Sequence, residues 1–311
     1  MALNIPVLSQ SSSITLCDGG PTFSRLVAGL WRLSEWGYTP SERLRFVQDC
    51  LALGVSTFDE ADIYGGYESE RLFGEALALS PGIRNQMQIV TKCDIKVVSE
   101  KYPSHVIGHY DTSAEHLISS LERSLTRIGT DHVDLLLVHR PDPLMDPDEV
   151  ARAFMALHSA GKVRHFGVSN FSPSQFELLQ ASLPLPLVTN QVECSVLEFE
   201  AMHDGTLDQC LRLGRAPMAW STLGGGRLFQ GQDSQASRVR TTLEAVGLDL
   251  GGAAVDQVAL AWLMRHPARI IPVLGTGKAE RVKAAVEAES LSLSRQQWFE
   301  IWRASKGHDV P

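Results

Sequence analysis

Short unbroken apolar runs alternate along this chain with longer stretches in which apolar residues recur every three or four positions. Residues 133–138, Val-Asp-Leu-Leu-Leu-Val, are the strongest of the short runs, and His139 follows directly. An apolar run without alternation suits a strand covered on both faces, as in a parallel sheet. Similar strands are predicted at 55–58, 87–91, 164–168, 187–193, 216–220 and 269–273. The first strand ends near Gly29-Leu30-Trp31. It is fed by a hairpin whose arms, Ile14–Leu16 and Phe23–Ala28, flank the turn Asp18-Gly19-Gly20-Pro21.

The longer stretches read as helices. Thr39-Pro40-Ser41-Glu42 carries a cap and an early acid, with Leu44, Val47 and Leu51 facing inward and Gly54 as the stop. A helix at 69–79 presents Leu72, Phe73, Ala76 and Leu77; one at 112–127 repeats Leu117, Leu121 and Leu125 and stops at Gly129. Asp146-Pro147-Asp148-Glu149 opens another, and further helices are expected at 173–181, 204–213, 253–265, 278–288 and 294–305. Strand and helix thus alternate eight times, with strand ends near 31, 59, 92, 139, 169, 193, 221 and 272. The spacing is widest after the third and seventh strands, where extra loop is expected. The fold class is α/β: a (β/α)8 TIM barrel with a short N-terminal hairpin and an extra C-terminal helix. It is read as one domain over 1–311, with the barrel about 22–290. A doubly wound sheet is the alternative, but no Gly-x-Gly-x-x-Gly follows an early strand.

Composition narrows the picture. Hydrophobic residues make up 44% and charged residues 21%, which is globular rather than disordered. A net charge of -8 argues against general nucleic-acid binding, though not against a local basic pocket. Five widely spaced cysteines (Cys17, Cys50, Cys93, Cys194, Cys210) form neither a disulfide framework nor a zinc pattern, so reduced thiols and a cytoplasmic location are expected. Residues 1–13 are polar and lack the marks of a signal peptide, and no run is long enough to span a bilayer; no membrane association is expected.

Ionisable groups stand at the ends of strands two, three and four: Asp59, with Tyr64 after it, Lys92 and His139. Taken singly each has a plain reading, as a helix cap, a rim aromatic, a solvated cation and a hydrogen-bonded histidine. Together they suggest a general acid. A phenol ionises near pH 10, and an adjacent ammonium lowers that value. A carboxylate would keep the buried lysine charged, and a neutral histidine can donate to a carbonyl oxygen. Proton donation of this kind calls for a partner reaction such as hydride delivery to the carbonyl carbon. The group holds one histidine and no H-x-H or H-E-x-x-H spacing, so no metal site is expected.

The segments Phe58-Asp59-Glu60-Ala61-Asp62-Ile63-Tyr64-Gly65, Thr91-Lys92, Leu137-Val138-His139-Arg140, Gly167-Val168-Ser169-Asn170-Phe171, Ile271-Pro272 and Gly275-Thr276-Gly277-Lys278 resemble the aldo-keto reductase family. The ending Arg295-Gln296-Gln297-Trp298 resembles one bacterial oxidoreductase branch of it. The resemblance implies a barrel that binds NADP(H) across its mouth and reduces aldehydes or ketones. It implies Tyr64 as acid-base residue, Lys92 and Asp59 as its partners, and His139 as the group orienting the carbonyl. Ser169, Asn170 and Gln191 would hold the nicotinamide carboxamide, with Trp220 stacked on the ring. The pyrophosphate would lie by Ser221, Leu223, Gly225 and Arg227. Gly275, Thr276, Gly277, Lys278 and Arg281 would take the adenosine 2'-phosphate, which favours NADPH over NADH. The chain departs from the family where Gly275 replaces a frequent lysine and Ala284-Ala285 replace a glutamate-asparagine pair at the adenine.

Trp31, Trp36, Tyr67 and Tyr110 are expected to wall a pocket for an apolar or aromatic small-molecule carbonyl, or to pack as lid residues. Oligomeric state, monomer or weak dimer, is left open. A nucleotide-binding regulatory barrel with slow turnover is the alternative function. A metal-dependent hydrolase using Asp59 and His139 lacks enough ligands.

Overall fold

A strand that is apolar at every position has to be covered on both sides, and the computed structural model meets that demand by closing the sheet on itself. It describes residues 10–311; part of the leader expectation, residues 1–9, lies outside the described residues. β1 (Ser13–Thr15) and β2 (Thr22–Ser24) form the expected antiparallel hairpin, with Ile14 opposite Phe23. There follow β3 (Val27–Gly29), α1 (Pro40–Ala52), β4 (Thr57–Asp59), the single turn α2 (Tyr64–Tyr67) and α3 (Ser69–Ala78). Next come β5 (Gln88–Cys93), a small antiparallel pair β6 (Ile95–Lys96) and β7 (His109–Tyr110), and α4 (Ala114–Ile128). β8 (Val133–Val138), α5 (Pro147–Ser159), β9 (Val163–Ser169), α6 (Pro173–Ser182), β10 (Leu187–Glu193), α7 (Thr206–Leu213) and β11 (Met218–Trp220) continue the alternation. The chain ends with α8 (Arg227–Gln230), α9 (Ser234–Asp249), α10 (Val255–Met264), β12 (Ile271–Leu274), α11 (Ala279–Ala288) and α12 (Arg295–Lys306).

The barrel runs β3-β4-β5-β8-β9-β10-β11-β12 and closes on β3, each neighbour parallel. Within β8 the run divides: Leu135 and Leu137 fill the barrel interior with Val90, Val188, Met218 and Ile271, whereas Leu136 and Val138 face the helices. Ile14, Leu16 and Phe23 of the hairpin pack into the same interior cluster. Gly167 is required here, since a Cβ would stand 2.7 Å from a Leu137 methyl and 2.8 Å from the Thr189 carbonyl. The helix signals act as expected: Thr39 and Glu42 form a capping box ahead of α1, and Gly129, at φ 73°, closes α4.

The extra chain after the seventh strand is mostly helix rather than loop, which corrects the expectation. α9 buries Ala236, Val239, Leu243 and Val246 at helical spacing, the last three in the second apolar cluster of the core, which α12 joins through Ile301. Trp262 of α10 and Trp298 of α12 stack with centroids 4.7 Å apart, and each indole N–H donates to the other's carbonyl. No helix among the described residues is long and apolar enough to cross a membrane.

Candidate functional site

Parallel strands bring all their C-terminal ends to one face of a barrel, so groups just past those ends converge whatever their separation in sequence. Asp59 ends β4, Lys92 is the penultimate residue of β5, and His139 follows β8 with its backbone N–H bonded to the Cys93 carbonyl. Tyr64 opens α2, and Gly65 and Gly66, both at positive φ, bend the chain after it.

The structure brings the four together. Nζ of Lys92 donates to Asp59 Oδ2 at 2.7 Å, to the Glu60 carbonyl at 2.8 Å and to the Tyr64 hydroxyl at 3.1 Å. The Tyr64 and His139 rings meet edge to face at 5.8 Å. Lys92 is 0% exposed. Burial alone would drive its ammonium towards neutrality, but Asp59 and then Tyr64 outweigh that and hold its pKa above the ordinary lysine value. Burial, then Lys92 and Arg140, keep His139 well below its ordinary value, so the ring is neutral. The expectation for Tyr64 is corrected: burial pushes the phenol up to about 12, more than Lys92 pulls it down. Asp59 absorbs much of the ammonium's field, and the desolvation of a phenolate remains.

Four of the expected cofactor residues, Gln191, Ser169, Asn170 and Trp220, form a hydrogen-bonded set at the ends of β9, β10 and β11. Gln191 donates to Asp59 Oδ1 at 3.0 Å, and its carbonyl accepts from Ser169 Oγ at 2.8 Å. Asn170, at φ 60°, donates to Ser169 Oγ at 2.8 Å and accepts the Trp220 indole N–H at 2.9 Å. Ser221 and the glycines 224–226 all lie at positive φ, giving a tightly turned loop beside half-buried Leu223. Arg227 adjoins that loop, but its guanidinium is committed to Asp233, the cap of α9, and to Gln235. Arg32 instead donates to the Gly225 carbonyl at 3.3 Å. Lys278 caps α11 and Arg281 lies in its first turn. Both are exposed, and neither side chain has an ion pair or hydrogen bond among the described residues. Thr276 accepts the Lys278 backbone N–H, and Gly275 is exposed. Ala285 is turned into the core.

The four expected substrate aromatics are not together. Trp31 is 55% exposed at the end of β3, beside the Arg32 guanidinium. Tyr110 is exposed on β7. Trp36 is packed between Phe46 of α1 and Gly277. Tyr67 is 6% exposed and lies against Tyr102, its hydroxyl accepting the Val97 N–H at 3.1 Å. It lines a cavity of about 290 Å³ between the β6–β7 segment and α4, with Asp62, His116 and Arg123.

Several groups escaped the sequence reading. Arg140 places its guanidinium 5.4 Å over the Trp220 ring, and its side chain has no ion pair or hydrogen bond among the described residues. Its position next to His139 was the available signal. Glu60, Asp62, Glu70 and Asp94 are buried acids around β4 and β5. Glu70 could have been found from its spacing with Phe73 and Leu77 on the inner face of α3.

Comparisons with known proteins bear on the family and the fold. A family model described as "Aldo/keto reductase family" matches residues 25–306. The chain is 53% identical over 298 residues to "Oxidoreductase YdhF" of Escherichia coli, covering 96% of this chain and 99% of that protein. It is 45% identical over 288 residues to a "6-dehydroglucose reductase" of Agrobacterium fabrum, covering 92% and 96%. A solved thermostable aldo-keto reductase, in complex with the inhibitor epalrestat, superposes with a TM-score of 0.79 at 26% identity, covering 94% and 99%.

Proposed function

Because the chain belongs to the aldo/keto reductase family, an oxidoreductase family acting on small carbonyl compounds, we propose that it reduces aldehydes or ketones with NADPH and that Tyr64 donates the proton. The single observation behind this reading is the bridge that Lys92 Nζ makes between Asp59 and the Tyr64 hydroxyl, with neutral His139 beside the same ring.

NADPH, when bound, supplies the hydride. The residues present suit it: an indole held by Asn170 through its N–H, a loop of three positive-φ glycines for a phosphate, and two basic side chains at a helix start that have no partner among the described residues. The carbonyl oxygen accepts hydrogen bonds from the Tyr64 hydroxyl and a His139 ring N–H, which fixes the carbon facing the cofactor side. With its pKa near 12, Tyr64 keeps its proton at neutral pH, and only a stronger base, a nascent alkoxide, takes it. Lys92, anchored by Asp59, stabilises the phenolate left behind.

The substrate is polar and oxygen-rich rather than aromatic. Trp36 is packed on Gly277 and Tyr67 against Tyr102, while the Arg140 guanidinium lies over the Trp220 ring with no ion pair or hydrogen bond among the described residues. A guanidinium recognises carboxylates and neighbouring hydroxyls through paired donors. The name of the Agrobacterium fabrum relative, 6-dehydroglucose reductase, points the same way. The test is steady-state NADPH consumption with glyceraldehyde, propanal and 4-nitrobenzaldehyde. Turnover with a higher kcat/KM for glyceraldehyde than for propanal is expected. No NADPH consumption with any of them would overturn the reductase reading, and a preference for propanal would overturn the substrate class.

A further inference from the structure

Glu60 follows Asp59 at the mouth end of β4 and is fully buried. One carboxyl oxygen, Oε1, accepts from Ser69 Oγ at 3.0 Å; the other, Oε2, has no hydrogen-bond partner among the described residues. Its backbone is built into the site: the N–H donates to the Val90 carbonyl at 2.9 Å, and the carbonyl accepts Lys92 Nζ at 2.8 Å. The residue that helps seat the lysine therefore carries a buried ionisable group that the mechanism above does not use.

The charged groups around it are Asp59 on β4, Lys92 on β5 and Glu70 on α3. Behind Glu70 stand Arg127, 3.7 Å from its Oε2, and Arg123 of α4. Burial, then the Glu70 carboxyl, push Glu60 well above the usual carboxylate range; Ser69 and Lys92 pull it down, and Asp59 adds to the rise. A carboxyl so placed stays protonated where an exposed glutamate would be ionised.

We infer that Glu60 is a positioning residue that acts on proton transfer through Lys92: silent while protonated, it becomes on ionisation a second negative charge, beside that of Asp59, on the residue whose carbonyl seats the ammonium, and so keeps Tyr64 protonated towards alkaline pH. The proton that Glu60 loses passes to solvent hydroxide, and no other bond changes. A negative charge near a phenol disfavours phenolate, and one that offsets the field of Lys92 does so again. The inference rests on the reading of Tyr64 as proton donor and adds the group that sets the pH range of that donation.

Glu60→Gln keeps the shape and the acceptor for Ser69 but cannot ionise. kcat/KM of the full-length enzyme is measured from neutral to strongly alkaline pH, for carbonyl reduction with NADPH and for alcohol oxidation with NADP+. Reduction needs Tyr64 protonated and oxidation needs it ionised, so the falling limb of the first and the rising limb of the second report the same group. Both limbs are expected to move to lower pH in Glu60→Gln, by about tenfold in proton concentration. Limbs that stay in place while both rates fall would mean that Glu60 only supports the fold, and would overturn the inference, as would a shift to higher pH. Should Glu60→Gln fold poorly, Glu60→Met carries the same comparison. Ultraviolet titration of the phenolate, with Tyr64→Phe as blank, reads the ionisation without turnover. Tyr64→Phe also separates the two ideas: if it turns over normally the donor reading fails, whereas an inactive Tyr64→Phe beside unmoved Glu60→Gln limbs removes only the role of Glu60.

Discussion

The Trp36 ring lies so close to Gly277 that a Cβ there would stand 2.5 Å from it. The aromatic expected over the substrate is instead the backing of the loop after β12, and the Tyr38 hydroxyl donates to the Gly277 carbonyl at 3.1 Å beside it. Gly277→Ala should therefore displace the loop. A stability loss of about 1–3 kcal/mol is expected from the overpacking. NADPH affinity should fall with it, while a denaturation curve keeps a single transition. Fluorescence titration and urea unfolding check the two effects; unchanged binding would mean that this loop does not hold the cofactor.

Arg281 and Lys278 are three residues apart at the start of α11, and both are exposed and without a side-chain partner among the described residues. A 2'-phosphate there would meet both side chains and first-turn N–H groups. Arg281→Ala should weaken NADPH binding by about tenfold or more, since a charge-assisted bond is worth roughly 1.5–3 kcal/mol before screening. NADH binding should hardly change. Equal losses for both cofactors would place the phosphate elsewhere.

Asp62 carries a pH-dependent cost. Burial first and Glu70 next raise its pKa from 3.8 to about 7, and one carboxyl oxygen has no partner among the described residues. A raised carboxyl favours the fold fully below the unfolded value and loses that contribution as pH rises through the folded one. Asp62→Asn cannot ionise and can still accept from Ser120. It should be more stable than the natural protein by about 2–4 kcal/mol near pH 8, with the gap closing towards about pH 4. Chemical denaturation at the two ends of that range checks the sign; a gap that grows in acid would contradict it.

Asp59 holds both Lys92 and Gln191. Asp59→Ala leaves an ammonium buried without its carboxylate, a change that typically costs about 3–5 kcal/mol. The variant should unfold at lower urea, and its Lys92 should lose its proton more readily. Stability equal to that of the natural protein would show that Glu60 or water replaces the missing charge.

The barrel and the strand-end groups were legible because both depend on short-range pattern. A short, mostly apolar run such as Val133–Val138 suits a covered strand, and its end places His139 at the mouth. Capping residues such as Thr39 with Glu42 mark helix starts for equally local reasons. What was not legible depends on backbone turns and distant partners. Tyr67 follows two positive-φ glycines and is itself at φ 68°, so its ring leaves the face on which sequence order would put it. Arg227 has the charge of a phosphate ligand, but Asp233, six residues on, holds its guanidinium. α9 hides its apolar stripe among arginine and threonine, and Val239 and Leu243 gain meaning only beside the core that α12 completes. The rise in the Tyr64 pKa is a burial effect, and depth of burial is not written in a local motif.

The central claim is that the Tyr64 hydroxyl, 3.1 Å from Lys92 Nζ, gives the proton. Tyr64→Phe removes that hydroxyl and keeps the ring that meets His139. The most direct measurement is kcat of Tyr64→Phe for glyceraldehyde reduction, with NADPH affinity titrated on the same preparation. A fall in kcat of about 10²–10⁴-fold with NADPH binding unchanged is predicted. Full turnover by the phenylalanine variant would contradict the account.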